Sequence, residues 1–85
     1  MSMVKQGIYS LFDNTSLTYE GLYVFPNDDT AIRNLRYSIK NIPFPEDKDI
    51  MFVGFFDTTE GLIVFDPDLV ASIGRLVPEV PNDIK

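Results

Sequence analysis

The sequence predicts an α+β fold: a small four-stranded, mainly antiparallel sheet (β-β-α-β-β) with one amphipathic helix packed on it and a short C-terminal helix and tail. Three observations predict it. Two β-rich apolar runs precede the one segment with helical periodicity, and two more follow it. Each pair of runs is joined by a polar stretch of Asp, Asn, Thr, Ser or Gly, the chemistry of hairpin turns. The length, 85 residues, suits one small domain, assigned to residues 1–76, with 77–85 as an extended or disordered tail.

The first run is Gly7-Ile8-Tyr9-Ser10-Leu11-Phe12, ended by the turn pair Asp13-Asn14. The second, Glu20-Gly21-Leu22-Tyr23-Val24-Phe25, stops at Pro26, and residues 15–19 connect the two. Asn27, Asp28, Asp29 and Thr30 then offer side-chain oxygens to the free amides of a helix start, and the acids suit its positive end. The helix should run from about residue 30 to 40 or 41, because Pro43 and Pro45 forbid its continuation. At about 100° per residue, Ala31, Ile32, Leu35 and Ile39 form an apolar stripe for the sheet. Arg33, Arg36 and Lys40 gather on an adjoining side, with Tyr37 at its edge. That basic ridge should face outward.

The third run begins near Asp49. Strict alternation sends Ile50, Phe52 and Phe56 to one side and Met51, Val53 and Phe55 to the other, so both faces are apolar. Such a strand is either central in a two-sided core or covered by a second subunit. Leu62-Ile63-Val64-Phe65 pairs with it across a turn at 58–61 that Gly61 closes. Asp66 as cap and Pro67 at the first helical position open a short helical candidate, Leu69-Val70-Ala71-Ser72-Ile73, which Gly74 ends.

Composition excludes several function classes. The chain has no cysteine, hence no disulfide framework or thiolate chemistry, and no histidine, the usual general base and metal ligand. Neither Gly-x-Gly-x-x-Gly nor Gly-x-x-x-x-Gly-Lys-[Ser/Thr] occurs. The acidic clusters Glu46-Asp47-Lys48-Asp49 and Asp66-Pro67-Asp68 lack calcium-loop spacing and read as turn and cap residues. The expectation is therefore no enzyme, no cofactor and no metal. No run of about 20 apolar residues exists and Met1-Ser2-Met3-Val4-Lys5 does not read as a signal peptide, so no membrane contact and a cytoplasmic location are expected. Hydrophobic residues make up 45% of a chain too small to bury them all, which leaves apolar surface for a subunit interface.

Two sets of residues are candidates for binding. Arg33, Arg36, Lys40 and Tyr37 could meet successive phosphates and stack on a base, although three charges also suit an ordinary solvated helix face. Tyr9, Tyr19, Tyr23, Phe52 and Phe55 could form a stacking surface, with burial the plainer reading for the phenylalanines. Phe52, Phe55 and Met51 are the candidate interface residues. The net charge of −6 opposes DNA binding over the whole surface and favours a protein partner, whereas the local ridge favours DNA.

Three segments in register carry a family likeness over residues 5 to 65: Tyr9-Ser10-Leu11-Phe12-Asp13, then Asn27-Asp28-Asp29-Thr30-Ala31-Ile32-Arg33-Asn34-Leu35, and Pro45-Glu46-Asp47 continuing through Val53-Gly54-Phe55-Phe56-Asp57 to Glu60-Gly61. In these the chain resembles the small non-structural protein of gokushoviruses, tailless single-stranded-DNA bacteriophages of the Microviridae. The resemblance implies a host-cytoplasmic accessory factor in single-stranded DNA replication or packaging, with no catalytic residues to carry over. Single-stranded DNA, viral replication or capsid proteins, and a second copy of the chain are the expected partners. The rival expectation is an acidic regulator of the replication initiator, capsid assembly or a host enzyme that never touches DNA. Lys48 departs from the family pattern, which tends to an aromatic there, and Phe52 and Phe55 stand where members tend to be more polar. Gly54 and Gly61 fit a close backbone approach and a turn.

Overall fold

The computed structural model describes residues 5–78; the last seven residues of the expected tail lie outside this span. The strands are β1 (Lys5–Asp13), β2 (Thr18–Phe25), β3 (Lys48–Asp57), β4 (Leu62–Val64) and β5 (Ala71–Arg75). One α-helix, α1 (Asp28–Tyr37), follows β2, and 3-10 turns occupy Ile39–Asn41, Pro45–Asp47 and Pro67–Leu69. Every pairing is antiparallel, in the order β2-β1-β3-β4. The α+β architecture is as expected, with a fifth strand in the sheet.

That fifth strand replaces the expected C-terminal helix. Asp66 does cap a turn, accepting from the Asp68 amide at 3.0 Å, but only Pro67–Leu69 are helical, and of the 3-10 kind. The reason lies in β3. It spans ten residues, while β4 pairs only with Phe55, Phe56 and Asp57. The open edge from Asp49 to Phe52 takes up residues 71–75 as β5, and the Leu76 amide extends the pairing to the Lys48 carbonyl at 3.0 Å. A five-residue helix holding Val70 and Ile73 cannot compete with that ladder, since nucleation costs more than so short a helix returns.

A bulge overturns the strict alternation expected of β3. Ile8 faces Gly54 but Tyr9 faces Phe52, so Val53 is an extra residue without a partner. Side chains beyond it change sides. Phe52 and Phe55, expected on opposite faces, meet edge to face at 5.0 Å.

Asn27 caps α1, accepting from the Thr30 amide at 2.8 Å, with Asp28 and Asp29 in the first turn. Ala31 and Leu35 are buried and Ile32 and Ile39 partly so, the predicted stripe. The α-helix stops at Tyr37, short of the expected residue 40, and winds tighter over Ile39–Asn41. Three residues per turn put Ile39 and Ile42 on one side, and both pack on the core of Leu11, Leu35, Ile50 and Leu76. Gly54 leaves room for β4: a Cβ there would sit 2.8 Å from the Val64 carbonyl oxygen.

Candidate functional site

Burial of Ala31 and Leu35 fixes which side of α1 meets solvent. On it Arg33 is exposed and Tyr37 is 90% exposed; four residues apart, they lie on one row of the helix. Arg36 stands beside them with a second task. Its Nε and Nη2 donate to the Arg75 carbonyl oxygen at 3.2 and 2.9 Å, tying the end of α1 to β5. Lys40 is exposed but lies in the 3-10 turn past the helix end, off the row that 100° steps would give it. The fold thus brings Arg33, Arg36 and Tyr37 together and sets Lys40 on the following turn.

Among the described residues, no ion pair involves Arg33, Arg36 or Lys40. The other cations of the described residues, Lys5, Lys48 and Arg75, are committed. Lys48 is buried at the start of β3 and pairs with Glu20 and, at 3.9 Å, with Asp13, joining three strands. Arg75 Nε lies 3.4 Å from Asp49, and its Nη2 donates to the Glu46 carbonyl. The Lys5 ammonium sits over the Phe55 ring, 5.2 Å from its centre. Arg75 is a neighbour of the ridge that helix periodicity could not reveal, because the pairing of β5 with β3 carries it there across 39 residues.

The aromatic candidates separate. Tyr9 is 1% exposed, so it offers no ring to a base, contrary to the stacking expectation. It packs on Phe25 and Phe52 with ring centres 6.1 and 5.7 Å away, and its hydroxyl donates to Asp28 Oδ1 at 2.7 Å. Burial pushes the phenol well above its ordinary range, and the hydrogen bond to Asp28 and that carboxylate's charge push the same way. Tyr23 is half-buried against the core, and the half-exposed Tyr19 meets Phe12 edge to face at 4.9 Å. Phe52 and Phe55 line a hollow with Asn27, Asp28 and Asp29 on the α1 side of the sheet. Met51, opposite Ser10, faces the other way, so the three expected interface residues do not share a face.

That other face is where sequence reasoning missed most. Ile8, Tyr19, Leu22, Val53, Ile63 and Phe65 line an open apolar groove there. The signal was present in β2, where Leu22 and Val24 alternate with Tyr23 and Phe25, all of them apolar.

A family model described as phage ORF5 protein matches residues 6–76. The chain belongs to the phage ORF5 family. As a phage ORF5 protein it is a phage protein, and the matched span ends on Leu76, a fully buried core residue. No curated protein and no solved structure matches this phage ORF5 chain.

Proposed function

We propose that this phage ORF5 protein is a gokushovirus-type, non-enzymatic accessory factor in single-stranded DNA genome replication or packaging, acting in the host cytoplasm by binding single-stranded DNA along α1. One observation carries the reading. Arg33, Tyr37 and Lys40 are exposed beyond the side that packs on the sheet, and the cations have no carboxylate partner among the described residues. Such cations meet phosphate without first breaking an ion pair, and an exposed phenol ring can stack on an unpaired base. A duplex keeps its bases stacked inside, so the Tyr37 contact favours the single strand. Two or three phosphate contacts imply modest affinity and a log–log salt slope of roughly −1.5 to −2.

Arg33→Gln with Lys40→Gln should weaken oligonucleotide binding at low salt and flatten the slope by about 1.4. Tyr37→Ala should cost about 1–3 kcal/mol with little change of slope, since it removes stacking and no charge. Arg36 is left in place because it ties α1 to β5. Fluorescence anisotropy with a labelled oligonucleotide checks both; unchanged binding by a folded variant that combines Arg33→Gln, Lys40→Gln and Tyr37→Ala dismisses the ridge. The second reading, an acidic regulator binding the replication initiator, a capsid protein or a host enzyme, draws on the open apolar face. It predicts no oligonucleotide binding at any salt.

A further inference from the structure

Among the described residues the sheet has two apolar faces and a single α-helix. Leu11 and Ile50 meet α1 through Leu35, and the chain after it adds Ile39 and Ile42 to the same side. The opposite face stays open as a groove of about 420 Å³. Ile8, Ser10 and Gly54, all buried in the two central strands, form its floor. Tyr19 and Leu22 of β2 wall one side, and Ile63 and Phe65 of the β4 segment wall the other.

We infer that a second copy of the chain covers this face, ridge into groove, about a two-fold axis. Chemistry and size both favour that occupant. Ser10 is the one side-chain hydroxyl on the floor, and it is already turned to the Gly21 and Glu20 carbonyls at 2.7 and 3.2 Å. The groove therefore asks for an apolar partner and leaves the floor nothing unpaired when water goes. Among the described residues no charged one lines it, so their like charge in two copies stays outside the contact, where salt screens it. The four wall residues are 52–73% exposed. With Val24, opposite Ile8 and 45% exposed, they offer roughly 600 Å² a copy if wholly covered, so a pair can bury up to about 1,200 Å², where standard stable interfaces begin. A two-fold contact gives each wall a groove to fill, as an isologous interface requires. The dimer stands whether or not α1 binds DNA.

Sedimentation equilibrium of the full chain without DNA tests this. The wild type should run at twice its 9.7 kDa mass. Leu22→Lys and Ile63→Lys should each raise the dimer dissociation constant at least about 100-fold with unchanged far-UV dichroism, as expected when a charge enters a desolvated contact. Leu22→Met should keep the dimer, and Tyr37→Lys, on the helix side, should leave it intact. A monomer at about 100 μM, a monomer carrying a bound apolar small molecule, or a dimer indifferent to both lysines would each overturn the inference.

Discussion

At the scale of single residues, Lys48 holds more of the fold together than its place among surface charges in the sequence suggests. It is 1% exposed, and its ammonium joins Glu20 of β2 and Asp13 of β1 from the start of β3. Lys48→Met keeps the aliphatic packing but strands two carboxylates. Removing one partner of a fully buried pair costs about 3–5 kcal/mol; here about 2 is expected, because Glu20, 42% exposed, can rehydrate. Urea unfolding of the variant measures it. Asp13 also makes stability depend on pH. The amides of Thr15 and Ser16, then the Lys48 charge, hold its carboxyl below the ordinary 3.8. A carboxyl lowered in the folded state stabilises above its unfolded value, and that stabilisation fades as pH falls through the lowered one. Melting temperature should therefore fall below about pH 4, and Asp13→Asn should flatten this limb.

Among elements, the two hairpin turns share one design with unequal residues. In the first, the Asp13 carboxylate accepts from Thr15 and Ser16 while the Leu17 amide donates to the Asp13 carbonyl. In the second, Asp57 does the same for Thr59 and Glu60, and Gly61 donates to its carbonyl. The closing residue is left-handed in both, φ 71° at Gly61 and 60° at Leu17. Leucine pays for that backbone where glycine does not, and its exposed side chain recovers no burial. Leu17→Gly should thus stabilise the protein by up to about 1 kcal/mol, read as a higher urea midpoint at unchanged m-value. The turns, four of the five strands and α1 were legible because each rests on local chemistry: Asp13 and Asp57 at turns, Asn27 at a cap, the spacing of Ala31 and Leu35. The fifth strand was not, because its cause is an unpaired edge of β3 some twenty residues away. Nor was the bulge at Val53, which moved Phe55 to the side of Phe52. Of the ridge, periodicity gave Arg33, Arg36 and Tyr37 but not the bond from Arg36 to Arg75 or the tighter winding that displaces Lys40.

For the whole molecule, one helix on a two-faced sheet decides how its surfaces divide. Pairing through the open faces yields four layers, helix–sheet–sheet–helix, with the ridge of each copy turned outward. The apolar side then serves assembly and the Arg33–Tyr37 side remains free for a ligand. A net charge of −6 and a basic ridge are compatible, because the charge sums over the whole chain whereas a phosphate in contact with Arg33 or Lys40 feels the nearest charges most. The most direct test is anisotropy of a labelled oligonucleotide and of its duplex, titrated with the wild-type protein from about 20 to 200 mM salt. Binding along α1 predicts preference for the single strand and a salt slope of roughly −1.5 to −2 per chain. No binding at the lowest salt, or equal binding to the duplex, would contradict it.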